Sequence, residues 1–104
     1  MPWTYILECA DGSYYVGSTR DLDLRVWQHN SPDQGAVYTR RRQPVRLVWC
    51  CWWDSIEEAF RFEKQVQGWG RAKREALIRG DFEVLPELAK RATSSTDRWF
   101  RDGC

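Results

Sequence analysis

A chain of 104 residues has room for one compact domain around one hydrophobic core, and a second folded domain does not fit. Seven tryptophans within an apolar fraction of 42% can fill such a core; no run is long enough to span a bilayer and no start resembles a signal peptide, so a soluble cytoplasmic protein is expected. The net charge of +1, taken whole, argues against a nucleic-acid partner, yet residues 20–46 carry six Arg against three Asp, and residues 71–80 carry three Arg and one Lys against one Glu, +3 in each segment.

Trp3 to Cys9 and Ser13 to Ser18 are β-branched and aromatic runs on either side of Asp11-Gly12, which reads as a hairpin. A three-residue loop, Ala10-Asp11-Gly12, pairs Cys9 with Ser13 and Tyr5 with Gly17, and gathers Tyr5, Leu7 and Tyr15 on one face. A two-residue loop shifts the register by one and separates the two tyrosines.

Thr19 or Asp21 caps a helix to about Asn30, with Leu22, Arg25, Val26 and His29 on one side, so Arg25 and His29 border the core. After Ser31-Pro32-Asp33-Gln34-Gly35, a loop, Gln43-Pro44 opens a third strand, Val45 to Trp53, whose nearly continuous apolar character suits a central position. Ser55-Ile56-Glu57-Glu58 is a capping box that starts a helix to about Gly68. Ile56, Ala59, Phe60 and Val66 trace its buried stripe, and Glu63 falls in the middle of it. A desolvated carboxylate without a partner costs several kcal/mol, so Glu63 must meet a cation or face a cleft.

Gly68-Trp69-Gly70 precedes a basic helix from Arg71 to about Arg79, which Gly80 terminates. Leu85-Pro86 opens a short helical segment to about Ala92, and 93–104 reads as a polar, flexible tail in which Trp99 and Phe100 can dock back. The expectation is therefore a domain over 1–92 and a tail over 93–104. The fold class is α+β, a three-stranded antiparallel sheet flanked by helices.

Cys9, Cys50, Cys51 and Cys104 form neither a C-x-x-C pair nor a zinc quartet, which predicts free thiols. One histidine cannot make an imidazole-based zinc site, so any metal must rest on carboxylate oxygen.

Tyr5 and Tyr15 on a hairpin, Gly17 opposite Tyr5, Arg25 ten and His29 fourteen residues beyond Tyr15, and Glu63 on a later helix form an ordered set. In it the chain resembles the GIY-YIG nuclease superfamily over roughly residues 3 to 79. Trp3-Thr4-Tyr5 and Tyr15-Val16-Gly17 stand for the two name-giving motifs, and Val37-Tyr38-Thr39 and Phe62-Glu63-Lys64 for later stations. Cys9-Ala10-Asp11-Gly12-Ser13 at the hairpin and Trp69-Gly70-Arg71-Ala72-Lys73 after the glutamate are similar to the small stand-alone bacterial members. Two departures stand out: Trp3 and Thr4 replace the Gly and Ile of the first motif, and the Asn that many relatives carry after the glutamate is missing, Asn30 being the only one in the chain.

The resemblance implies phosphodiester hydrolysis in DNA with Mg²⁺ or Mn²⁺. Glu63 is then the metal ligand, since Mg²⁺ needs few carboxylates and keeps most of its waters. Arg25 grips a non-bridging phosphate oxygen through its planar fork. Tyr5 is the base for the attacking water, a phenol of pKa ~10 that needs cationic neighbours. Tyr15 contacts phosphate or water, His29 bonds phosphate or Tyr5, and Tyr38 adds a supporting hydrogen bond. Gly17 lets the phosphate approach the sheet. Arg40, Arg41, Arg42, Arg71, Lys73 and Arg74 form a rim for the DNA backbone. No specificity domain is seen, which suggests structure-selective or loosely specific cleavage, or targeting by a protein partner, in repair or recombination. The alternatives are a nucleic-acid-binding module that no longer turns over, and an interaction domain using Trp49, Trp52 and Trp53.

Overall fold

The computed structural model describes residues 2–81 and the backbone of 99–101. The chain folds as β1 (Trp3–Glu8), β2 (Tyr14–Thr19), α1 (Leu22–His29), α2 (Val37–Arg40), β3 (Arg46–Trp52), α3 (Ile56–Gln67), α4 (Arg71–Arg79) and β4 (Trp99–Arg101). It is an α+β fold on an antiparallel sheet.

The hairpin has the three-residue loop. Cys9 N–H donates to the Ser13 carbonyl at 2.8 Å and Gly12 N–H to the Cys9 carbonyl at 2.9 Å. Gly12 takes φ +84°, a left-handed conformation that a side chain would disfavour. Tyr5 therefore pairs with Gly17 and Leu7 with Tyr15. Tyr5, Leu7 and Cys9 share one buried cluster with Leu22 and Cys50, with Tyr15 and Val26 packed against it. Ile6 and Val16 point the other way, into a cluster with Phe62, Val66, Ala76 and Leu77 of α3 and α4. The sheet thus has α1 on one face and α3 with α4 on the other.

The strand order is β2-β1-β3-β4. The third strand is interior, as its nearly continuous apolar run implies: β3 lies between β1 and β4, with apolar cover on both faces. The register slips between Ile6 and Leu7, which sets Val48 and Trp49 in the same cluster. A fourth strand, within the segment expected as tail, pairs Trp99 with Cys51 and Phe100 with Cys50. The domain boundary at residue 92 and the helical segment before it lie outside the described residues. Cys9 and Cys51 are buried free thiols, whereas Cys50 is disulfide-bonded, contrary to the expectation for that residue. No helix among the described residues is long and apolar enough to cross a membrane.

The helix caps are those written in the sequence. Asp21 accepts from Leu24 N–H at 3.1 Å to start α1, and the Ser55 hydroxyl accepts from Glu58 N–H at 3.2 Å to start α3. Gly80, at φ +76°, closes α4. The buried stripe of α3 is Ala59, Phe62, Glu63 and Val66. Phe60 was expected in it but is half exposed, with the Lys64 ammonium over its ring. Both residues fit the helical period, and packing of Phe62 against Trp49, Trp53 and Trp69 decides between them.

Thr4, one of the two departures in the first motif, is fully buried on the face opposite Tyr5. Its hydroxyl donates to the Ala59 carbonyl of α3 at 2.7 Å and accepts from the Trp53 indole N–H at 3.0 Å. The side chain that replaces an aliphatic one thus ties β1 to α3 and to the end of β3. Thr4→Val keeps the shape and leaves the indole N–H buried without this acceptor, which costs about 1–3 kcal/mol. Chemical denaturation should show that loss; a midpoint unchanged within error contradicts the bridge.

Candidate active site

Two halves of the site are built on opposite faces of the sheet and meet at its edge strand, β2. The first half centres on Tyr5, whose side chain is almost fully buried. A phenol there needs a partner, and its hydroxyl lies 2.9 Å from His29 Nε2 at the end of α1. The other ring nitrogen, Nδ1, lies 2.8 Å from the Thr39 hydroxyl of α2. His29 and Thr39 are both fully buried. Tyr15 packs on the same group, 5.0 Å from the His29 ring and 6.5 Å from the Tyr5 ring between centroids. Tyr38 follows at 6.1 Å from Tyr15.

Gly17 sits opposite Tyr5, and a Cβ built on it would lie 2.5 Å from the Tyr5 hydroxyl and 3.1 Å from Tyr15. The expected reason for this glycine was phosphate approach. The structure adds a prior one, since the space over Gly17 is filled by the Tyr5 phenol and any side chain would expel it.

Arg25, on the inner side of α1, hydrogen-bonds through Nη1 to the Gln28 side-chain oxygen at 3.0 Å. Its charge acts on both phenols and on the imidazole. Burial raises Tyr5 well above its ordinary value, the neighbouring Tyr15 adds to this, and Arg25 pulls it back. Tyr15 is likewise raised by burial and lowered by Arg25. His29 is pushed down to about 4 by burial and then by Arg25. Arg25 forms no ion pair with a carboxylate among the described residues, so the buried Arg25–Glu63 bridge that would have explained both charges structurally is not what the protein builds.

The second half is Glu63 of α3, 8% exposed. One oxygen accepts from the Ser18 hydroxyl at 2.5 Å and the other from the Gln67 side-chain amide at 2.8 Å. Gln67 also donates to the Val16 carbonyl on the open side of β2, at 3.2 Å. Lys64 lies 3.6 Å from the second oxygen. The carboxylate is near enough to raise both Tyr5 and Tyr15 electrostatically. Beside it Tyr14, Tyr15, Val16, Tyr38, Gln67 and Arg74 line a cleft of about 310 Å³.

A carboxylate offers about four acceptor positions, so the two donors here leave others for a hard cation. No group of three or more His, Cys, Asp or Glu gathers among the described residues. Glu63 is the described residue that could hold a divalent cation here, and an ion that keeps most of its waters needs few such ligands.

Several expected side chains do other work. Arg42 pairs with Asp11 at 3.0 Å, donates to the Tyr38 carbonyl at 2.9 Å and lies 3.8 Å over the Tyr38 ring. Arg74 donates to the Val66 and Gln67 carbonyls at the end of α3, and Arg71 to the Gly12 carbonyl while stacking on Tyr14. Lys73 stacks on Trp69. Arg40 and Arg41 are exposed on and just after α2. The supporting hydrogen bond expected of Tyr38 comes instead from its neighbour Thr39; the Tyr38 hydroxyl makes none among the described residues. Asn30 bridges both backbone groups of Val45 at 2.7 and 3.1 Å, so the amide beside the carboxylate is that of Gln67.

The sequence of the GIY-YIG catalytic domain matches residues 1–76. The UPF0213 protein BH0048 of Halalkalibacterium halodurans is 49% identical over 90 residues, covering 84% of this chain and 95% of that protein. The UPF0213 protein VNG_2274C of Halobacterium salinarum is 47% identical over 78 residues, 75% of this chain and all of that one. The solution NMR structure of the BH0048 protein has a TM-score of 0.49 at 48% identity, over 75% of this chain and 83% of that chain.

The His29 environment has a sign that can be checked. In the unfolded chain the imidazole takes a proton near its ordinary 6.5, whereas in the folded protein it stays neutral to about 4. Its contribution to stability is present above pH 6.5 and is lost as pH falls toward 4. An NMR titration of the single His should show no midpoint between pH 8 and 5; a midpoint near 6.5 refutes the buried neutral ring.

Proposed function

Because the chain belongs to the GIY-YIG catalytic domain family, we propose that it is a divalent-metal-dependent endonuclease that hydrolyses phosphodiester bonds in DNA. The observation that carries the reading is the Arg25 guanidinium beside two phenols, with no carboxylate paired to it among the described residues. A planar cation held this way is matched to a phosphate oxygen. Such an anion also offsets the charge that depresses His29 and so makes the imidazole a better proton acceptor once substrate is bound.

Hydrolysis requires a water that loses a proton as its oxygen attacks phosphorus, and a leaving oxygen that departs with the bonding pair. Tyr5 is the group assigned to take the water proton. Its own proton must leave at the same time, since burial disfavours a tyrosinate, and His29 Nε2 at 2.9 Å is the acceptor within reach. The water's oxygen bonds to phosphorus, its proton goes to the Tyr5 oxygen, and the phenolic proton goes to His29. The leaving oxygen is reprotonated from solvent. Tyr15 and Tyr38 face the same phosphate from the cleft side. Glu63 would hold Mg²⁺ or Mn²⁺, which supplies positive charge to the leaving oxygen.

The basic residues fit binding through the DNA backbone without base reading. Arg40, Arg41 and Lys73 are the main candidates for that rim: all three are exposed, with Arg40 on the Gly35 carbonyl at 3.4 Å and Lys73 over the Trp69 ring, whereas Arg42, Arg71 and Arg74 hydrogen-bond to the hairpin and to α3. Structure-selective or loosely specific cleavage is the corresponding substrate behaviour. A repair or recombination setting, with a partner that targets the domain, accompanies the family reading.

A panel of plain, flapped and branched DNA incubated with Mg²⁺ tests this. Wild type should cut at least one member. Glu63→Ala and Tyr5→Phe should each lower the rate at least ~10²-fold while DNA binding is retained. Binding without cutting by wild type across the panel would make the domain a binding module instead.

A further inference from the structure

His29 can accept a proton from Tyr5 only if its Nε2 carries none, and nothing in the Tyr5 contact itself decides this. The decision lies on the other side of the ring. The Thr39 hydroxyl donates to the Ala36 carbonyl at 3.0 Å, one turn back at the start of α2. A hydroxyl has one proton and two lone pairs. With that proton directed at Ala36, the 2.8 Å contact between Thr39 Oγ1 and His29 Nδ1 can only have the imidazole as donor.

We infer that Thr39 is a positioning residue that locks His29 in the Nδ1–H tautomer, leaving Nε2 as the acceptor for the Tyr5 hydroxyl. The direction then runs through four groups: Tyr5 donates to His29, His29 to Thr39, and Thr39 to the Ala36 carbonyl. The phenol's lone pairs are turned away from the ring and toward Arg25 and the water to be activated. The opposite tautomer would place two donors on the Tyr5–His29 contact unless the phenol rotated, and would point the phenolic proton at the reaction centre.

The burial of both residues narrows the choice of partners: His29 and Thr39 have no exposed surface, so no solvent molecule substitutes for either one. The fixed geometry of α2 does the rest. Ala36 is the residue just before the helix, its carbonyl already takes the Thr39 and Arg40 amides at 3.1 Å, and it holds the hydroxyl in one rotamer. Arg42 donates to the Tyr38 carbonyl and lies over the Tyr38 ring, which fastens the same segment to the hairpin through Asp11.

The consequence for catalysis rests on the nuclease reading; the proton's position does not. The chain has a single histidine, so long-range ¹H–¹⁵N correlation of the full-length protein reports its tautomer without ambiguity. In wild type, Nδ1 should show the protonated signature and Nε2 the unprotonated one. Thr39→Val, which keeps the shape and removes the hydroxyl, should shift the population toward the Nε2–H form. Thr39→Ser should restore the wild-type pattern. On a DNA that wild type cuts, Thr39→Val should lower kcat roughly 10- to 100-fold with KM little changed, and Thr39→Ser should recover most of it.

An Nε2–H signature in wild type overturns the inference at once, even if the valine variant fails to fold. A Thr39→Val protein that keeps the wild-type tautomer overturns it as well. A changed tautomer with unchanged kcat removes Thr39 from the catalytic account. If wild type cuts no DNA, the nuclease reading falls while the tautomer still decides the structural assignment of Thr39.

Discussion

Burying a phenol at the middle of a two-stranded hairpin is the constraint from which the arrangement of this domain follows. Tyr5 is almost wholly buried, so its hydroxyl needs a protein partner, and that partner is His29. The imidazole in turn requires α1 to end where it does and α2 to bring Thr39 behind it. The phenol also requires the strand opposite to carry no side chain at residue 17. One polar group on β1 thus fixes the hairpin register, the length of α1 and the placement of a short helix far along the chain.

The second half of the site answers to a different constraint, a carboxylate on the buried stripe of α3. Helix α3 packs on the face of the sheet away from Tyr5, so Glu63 and the phenols are brought together around the edge of β2 and not across one surface. Ser18, next to Gly17, reaches Glu63 from the strand; Gln67, one turn after Glu63, reaches it from the helix and ties down the outward carbonyl of Val16. Gln67 of α3 covers part of a sheet edge that would otherwise offer free backbone groups to another strand. The same edge borders the cleft lined by Tyr15, Tyr38, Val16 and Gln67.

Much of this was legible in the sequence where charge or size made a residue conspicuous. A carboxylate at position 63, between Ala59 and Val66, stood out because a buried stripe should not contain one. The loop after Cys9 left two registers open, and only the functional set, which needs Gly17 opposite Tyr5, favoured the one the hairpin adopts. Phe60 and Phe62 were not separable by period alone, and packing against Trp49, Trp53 and Trp69 selects Phe62. Thr39 stood in a motif but without a role, and Ser18 and Gln67 gave no signal, because small neutral polar residues are common everywhere and their importance depends on partners 10, 45 and 4 residues away. The arginines were misjudged as a group for a related reason. A run such as Arg40-Arg41-Arg42 looks uniform, yet Arg42 meets Asp11, a residue 31 positions distant that only the folded hairpin brings near.

The account comes down to where a phosphodiester sits. A crystal structure of Glu63→Ala bound to a short DNA tests it most directly, since that variant should hold substrate without consuming it. The account predicts one backbone phosphate within hydrogen-bonding distance of Arg25, next to the Tyr5 and Tyr15 hydroxyls at the open edge of β2, with Arg25 released from Gln28. DNA bound on another face, with Arg25 still on Gln28 and no phosphate at the phenols, would contradict it.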